Sequence, residues 1–181
     1  MSQGRNYNWL LGYDVALFDT NVTSTKAQLI FDSTSVNVVS TNSIMPFMSA
    51  QGNISDESGN LLFVSNGCWI MDASGDTMLN GTGLNPGLFT DDWCNNTTGI
   101  PWFHSNIVLP WPGDTSKYVL FHQTGNYDIN IIKASELYYS VIDMNLHGGL
   151  GAVVQGQKNL IAINDTLIPG MAACQHANGR D

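Results

Sequence analysis

The sequence predicts an all-β fold: antiparallel four-stranded meander units forming a partial β-propeller, with a β-sandwich as the alternative. Three observations carry this. A glycine-centred turn recurs after β-like runs, in residues 52–60, 106–114 and 173–181, with turn glycines Gly59, Gly113 and Gly179 spaced 54 and 66 residues apart. Such intervals fit four-stranded blades with loop insertions. Charged residues make up only 12% of the chain, with Asn, Ser, Thr and Gly in their place, which suits strands and turns better than solvent-facing helices. The hydrophobic fraction of 43% over 181 residues is enough for one sizeable core.

In chain order, the aromatic-rich residues 7–13 read as a strand or strand-like closure, and the alternating residues 27–32 as a second strand. Residues 36–48 hold a β-branched run ended by Pro46, which fits a strand end or an edge. Residues 49–55 form a strand of small side chains, suited to a crowded place where sheets converge. The turn Asp56-Glu57-Ser58-Gly59-Asn60 joins it to a strand at 61–65. There Asp can bond its own backbone and Gly supplies a positive φ. Asn66-Gly67 is the strongest short hairpin signal, and it leads into a strand at 68–71 and a second Asp-x-x-Gly turn at 72–75. Residues 79–103 are rich in turn residues and read as one long loop, of the kind that is often functional or tied down. The second unit has strands at 105–109, 117–122 and 137–143. The turn Gly148-Gly149-Leu150-Gly151 follows, then strands at 152–154 and 160–163. A third unit is expected to begin near Met171, with an inner strand at 172–175 and a turn at Asn178-Gly179 leading to a partner strand the chain does not contain. The expected organisation is therefore one partial propeller over 1–181: entry strands at 7–48, a first unit at 49–103, a second at 104–170, and the start of a third, truncated, at 171–181.

Composition excludes several functions. Net charge is −9 with six Lys and Arg, and no basic run exists to track a phosphate backbone, so no nucleic-acid partner is expected. No 18-residue apolar stretch is present, so no membrane insertion is expected. Residues 1–6 have no apolar signal-peptide core, which leaves a cytosolic chain or an exported one whose signal is not in this sequence.

The side chains that could carry chemistry are few. Cys68, Cys94 and Cys174 lack CxxC spacing, which argues against zinc. They read either as small buried residues or, for a chain matured outside the cytoplasm, as a Cys68–Cys94 disulfide with Cys174 unpaired. A reactive nucleophile is the remaining reading. In the chain-entropy model that bridge would contribute roughly 3–4 kcal/mol. His104, His122, His147 and His176 have neither HxH nor HExxH spacing, so no metal site is expected. His176 reads as a hydrogen-bonded turn or core histidine, or as a pocket residue near a propeller axis. Asp91 and Asp92, beside Trp93 and Trp102, are the best candidates for a ligand surface. Carboxylates with exposed aromatics suit sugar stacking and hydroxyl bonding, or calcium, although no calcium motif is present and no cofactor is expected. The bland reading has the tryptophans packed on the sheet and the aspartates in water. The Asp-x-x-Gly turns serve hairpin geometry. No Gly-x-Ser-x-Gly elbow or phosphate-binding loop occurs, and no catalytic residue is assigned.

Several motifs recur in this order in one family. They are Asn66-Gly67-Cys68, the run from Met78 to Gly87, the run from Leu137 to Asn145, Gly148-Gly149-Leu150-Gly151 and the run from Cys174 to Asp181. On these the chain resembles, from about Tyr7 to Asp181, the N-terminal β-propeller region of large secreted proteins of gliding-type bacteria. Those proteins commonly end in a type IX secretion sorting domain and are associated with gliding motility. The resemblance implies a fragment of a secreted or outer-surface protein, with the remaining blades as its partners and no catalytic motif to carry over. In the family the last motif runs on into an aromatic strand, which this sequence lacks. Two functions follow as expectations: a non-catalytic propeller segment acting as a binding or scaffold module toward a glycan or cell-surface protein, or a fragment of a propeller-fold glycan-active hydrolase.

Overall fold

The computed structural model describes residues 7–12, 26–32, 34–41, 43–95, 98–127 and 132–174. Among the described residues the fold is all-β apart from one short α-helix and a 3-10 turn at His147–Gly149. A three-stranded antiparallel sheet comes first, from β1 (Asn8–Leu11), β2 (Ala27–Phe31) and β3 (Val36–Ser40), in that spatial order. Two meanders follow. The first is β4 (Gly52–Ser55), β5 (Leu61–Ser65), β6 (Trp69–Asp72) and β7 (Thr77–Thr82); the second is β8 (Asn106–Trp111), β9 (Asp114–Tyr127), β10 (Ile132–Asp143) and β11 (Ala152–Val153). Within each meander, sequential strands pair antiparallel. A last strand, β12 (Leu160–Leu167), pairs with the first half of β10.

The expected four-stranded units are thus present, but they are not separate sheets. A single parallel bridge, Ala152 with Leu79, joins β11 to β7. At the opposite edge β4 lies against β8, where a Cβ on Gly52 would stand 3.0 Å from that of Asn106. The small residues of β4 are what allow this approach. The two layers therefore curl into one nearly closed, barrel-like sheet.

Between the layers lies the main core. Ile54, Phe63, Ile70 and Met78 from the first meander meet Tyr118, Leu120, Ile142 and Val153 from the second, and Phe63 meets Tyr118 edge-on at 5.7 Å. Strand alternation gives β5 a second buried face. While Phe63 points into the main core, Val64 joins Leu10, Met45, Phe47 and Met71 beneath the small sheet. Side-chain amides fasten β1 down. Asn53 Nδ2 donates to the Asn8 carbonyl at 2.6 Å, and Asn8 Nδ2 donates to Ser55 Oγ at 3.0 Å.

The hairpin turns work as their chemistry dictates. At Asp56 the carboxylate accepts from the Ser58 and Asn60 amides (2.9 and 2.8 Å), and Gly59 takes φ +89°. Asp72 repeats this with the Ser74 amide at 2.8 Å and Gly75 at φ +93°. Asp114 accepts from the Ser116 amide at 3.0 Å in the β8–β9 turn, one residue after Gly113 at φ +78°. These side chains replace a missing backbone partner at each reversal.

Two expectations are corrected. Residues 79–103 are not one long loop: they finish β7, then form the helix α1 (Leu88–Asn95). The turn-like residues inside β7 are a bulge, because four residues, 78–81, lie opposite Ile70 alone. Asn80 takes φ +58° there, and Lys158 Nζ pins the bulge by donating to Asn80 Oδ1 at 2.8 Å and to the Thr82 carbonyl at 3.1 Å. Finally, residues 171–174 form no strand. Instead the Met171 amide donates to the His104 carbonyl at 2.8 Å, and the Gly170 amide to Gln123 Oε1 at 3.0 Å. Gln175, His176 and the Asn178-Gly179 turn lie outside the described residues.

Candidate functional site

Helix α1 carries four of the residues singled out from the sequence, Asp91, Asp92, Trp93 and Cys94, and its sequence, Leu-Phe-Thr-Asp-Asp-Trp-Cys-Asn, is poor helix material. Long-range contacts hold it. Phe89 is buried and stacks on Trp102 with ring centroids 4.8 Å apart; Trp93 and Tyr127 approach the same ring at 6.3 and 5.4 Å. Thr90 Oγ1 shares a 2.8 Å hydrogen bond with Thr124 Oγ1 of β9, and Thr98 Oγ1 donates to the Trp93 carbonyl at 3.2 Å, satisfying one of the orphan acceptors of the last turn. Phe89 and Trp93 are four residues apart, as are Thr90 and Cys94, so one helical face takes all the inward contacts.

The Cys68–Cys94 disulfide is formed, with Cα atoms 5.6 Å apart, and it ties the end of α1 to the start of β6. Both sulfurs lie in a small apolar cluster with Ala50, Phe89 and Ile100. Cys174 is free and exposed.

The structure brings Asp91, Asp92, Trp93 and Trp102 into one region and divides their roles. Asp91 and Asp92 are exposed on the outer face of α1. The Asp92 carboxylate bonds the Tyr127 hydroxyl; partial burial of that phenol, then the bond and the charge of Asp92, raise its pKa. Both tryptophans are half-buried. Trp102 lies so close over β9 that a Cβ on Gly125 would collide with its ring and stand 2.8 Å from the Lys133 carbonyl. Trp102 thus has one ring face stacked on Phe89, and Trp93 meets the same ring tilted by 48°. The buried Trp93 Nε1 faces the Tyr127 hydroxyl outside strict hydrogen-bonding geometry, and it opposes the rise of that phenol's pKa. Around this shelf Tyr127 (51%), Phe103 (72%) and Leu88 (80%) remain open to solvent. Among the described residues no group of three or more His, Cys, Asp or Glu side chains could hold a metal ion.

A separate shallow depression of about 300 Å³ lies between the β4–β5 and β8–β9 turns, lined by Asp56, Glu57, Ser58, Thr115 and Tyr118. Its Asp56 carboxylate is already committed to the turn, and hydrogen bonds from the Asn60 side chain and from backbone amides lower its pKa against the opposing, largest single effect of burial.

Sequence reasoning missed a polar network at the heart of the molecule. The Asn85 amide is oriented by its Nδ2, which donates to the Gly67 carbonyl at 2.9 Å. Its Oδ1 must then accept, so His122 Nδ1–H donates to it at 2.7 Å. His122 Nε2 is left as an acceptor for the Ser140 hydroxyl at 2.9 Å. Ser140 Oγ in turn accepts the Asn159 amide at 3.1 Å, and the Asn159 side chain reaches Asn85 N (3.2 Å) and the Gly83 carbonyl (2.8 Å). The connectivity Ser–His–Asn is that of a nucleophile, a base and an orienting group. Yet Ser140, His122 and Asn85 are all completely buried, and the serine oxygen both donates and accepts, leaving no position where a substrate atom could sit. Desolvation lowers the His122 pKa to about 3, so the ring stays neutral. The network cross-links β9 and β10 to the loops after β5 and β7. One signal could have found it: strict alternation puts His122 on the same face as Tyr118 and Leu120.

Comparisons with protein-family models, with curated proteins and with solved structures give no match.

Proposed function

We propose that the chain is a non-catalytic binding or scaffold module of a secreted or cell-surface protein, and that the shelf on α1 is its recognition surface. The observation that carries this reading is the disulfide-clamped helix. A segment with little helix propensity of its own is fixed against β6 and β9, and its outer face offers two carboxylates beside exposed aromatic side chains. Rigid presentation lowers the ordering cost of binding. Carboxylates that accept hydroxyl protons next to aromatic faces are the chemistry that sugars need, so a glycan is the partner class the shelf fits. The disulfide supports maturation in an oxidising compartment. No helix among the described residues is long and apolar enough to cross a membrane. The resemblance to propeller regions of type IX-secreted, gliding-associated proteins supports the same placement, with further blades as partners.

A glycan array with the wild-type protein and the Asp91→Ala/Asp92→Ala and Tyr127→Ala variants tests the proposal. It expects selective binding by the wild type, lost in the variants, with circular dichroism showing that each variant keeps the β fold. Binding that the variants retain would place the site elsewhere. Turnover on a panel of glycoside substrates would favour a glycan-active hydrolase instead.

A further inference from the structure

Among the described residues nothing pairs with the outer edge of the small sheet. Its outer strand β3 reads Val-Asn-Val-Val-Ser, and all five residues are exposed, Val38 at 67%. Natural edge strands are usually blunted by Lys, Pro, a bulge or a covering loop. β3 has no charge and no proline, it pairs with β2 in an unbroken register, and among the described residues no strand lies beyond it.

The backbone polarity of this edge is fixed by its neighbours. The Thr41 amide donates inward to the Lys26 carbonyl, and the Ser35 carbonyl accepts inward from Asp32. Alternation then turns Asn37 and Val39 toward β2, and turns both the N–H and the C=O of Val36, Val38 and Ser40 outward. That outward set is symmetric about Val38. We propose that β3 is a homodimer interface, in which two copies of the chain pair their β3 strands antiparallel about a two-fold axis at Val38.

In this register Val38 faces its own copy as a hydrogen-bonded pair, and Val36 faces Ser40 on either side. Every outward donor and acceptor of the strand finds a partner, and a residue slip in either direction leaves some unpaired. On one face, Val38 already stands in a cross-strand row with Leu29 and Trp9. The two-fold makes that row continuous across two three-stranded sheets. With a net charge of −9 on each chain, association needs an uncharged contact, and β3 offers one. The inference is independent of the glycan-binding reading, because β3 and α1 are different surfaces.

Sedimentation velocity over a concentration series tests it. The wild type is expected to move from 19.7 kDa toward twice that mass, and more readily as salt screens the negative charge. Val38→Pro removes an outward N–H without removing a β2–β3 hydrogen bond, so it should stay monomeric. Val38→Lys, which sets two ammonium groups together on the axis, should do the same and serves as the second variant if proline disturbs the strand. Val38→Thr should still dimerise. A wild type that remains monomeric at several hundred micromolar overturns the proposal, and so does a dimer that survives both Val38→Pro and Val38→Lys.

Discussion

The meanders and helix α1 are built on opposite terms. In the meanders each reversal is written locally: Asp56, Asp72 and Asp114 each bond an amide two residues on, and a glycine nearby takes the positive φ. Helix α1 has almost no local support. Its shape comes from Phe89 beneath Trp102, from Thr90 on Thr124, and from a covalent bond to a residue 26 positions away. Locally coded structure should lose a little stability at each damaged turn and keep its form. Structure held from a distance should fail as a unit when one tether goes.

The largest expected effect lies at Phe89. Phe89→Ala removes the ring on which the aromatic cluster stacks and should cost about 3–5 kcal/mol, read by denaturant melts. α1 amides should lose exchange protection well before those of β5. Equal loss across the molecule would mean that α1 is part of the global core, and the comparison would break.

Next comes pH. The unfolded chain protonates His122 near 6.5 and the folded chain only near 3. Between those values the unfolded state binds the extra proton, so the contribution of the neutral ring is complete above about 6.5 and is lost as pH falls, at about 1.4 kcal/mol per pH unit. His122→Gln should flatten this slope while lowering stability at neutral pH. A wild-type slope that the variant keeps would assign the acid sensitivity to other groups.

A backbone contact gives a smaller effect. Gly125→Ala drives a methyl group against the Trp102 ring and the Lys133 carbonyl, and overpacking of this kind typically costs about 1–3 kcal/mol. The near-ultraviolet tryptophan signal should change with it, whereas a Gly83→Ala control meets no neighbouring atom and is strained only by its φ of +68°. The smallest effect is at a turn. Asp56→Ala should cost about 1 kcal/mol, the value of the turn hydrogen bonds it removes, with the exchange pattern elsewhere unchanged.

What was legible in the sequence follows the same division. The strand at 61–65 is legible to its ends because Asp56-Glu57-Ser58-Gly59-Asn60 and Asn66-Gly67 fix both of its boundaries through chemistry within a few residues. The Cys68–Cys94 bridge was among the alternatives because both residues border one unit. β7 was hidden because its bulge needs Asn80 in a left-handed conformation pinned by Lys158, which lies far along the chain. α1 was hidden because propensity opposes it. That Asp91, Asp92, Trp93 and Trp102 share one region is legible because they lie close together in the sequence, but how they divide between packing and exposure depends on Phe89 and Gly125, which no local pattern marks.

One measurement tests the central claim, that α1 and its carboxylate shelf are held by distant tethers on a locally coded β scaffold. Hydrogen exchange of the whole protein is followed by mass spectrometry before and after reduction of Cys68–Cys94 with excess dithiothreitol. The account predicts that residues 88–95 and the Trp102 loop lose protection while β5, β9 and β10 keep theirs. Protection of α1 that is unchanged by reduction, or lost together with that of β5 and β9, would contradict it.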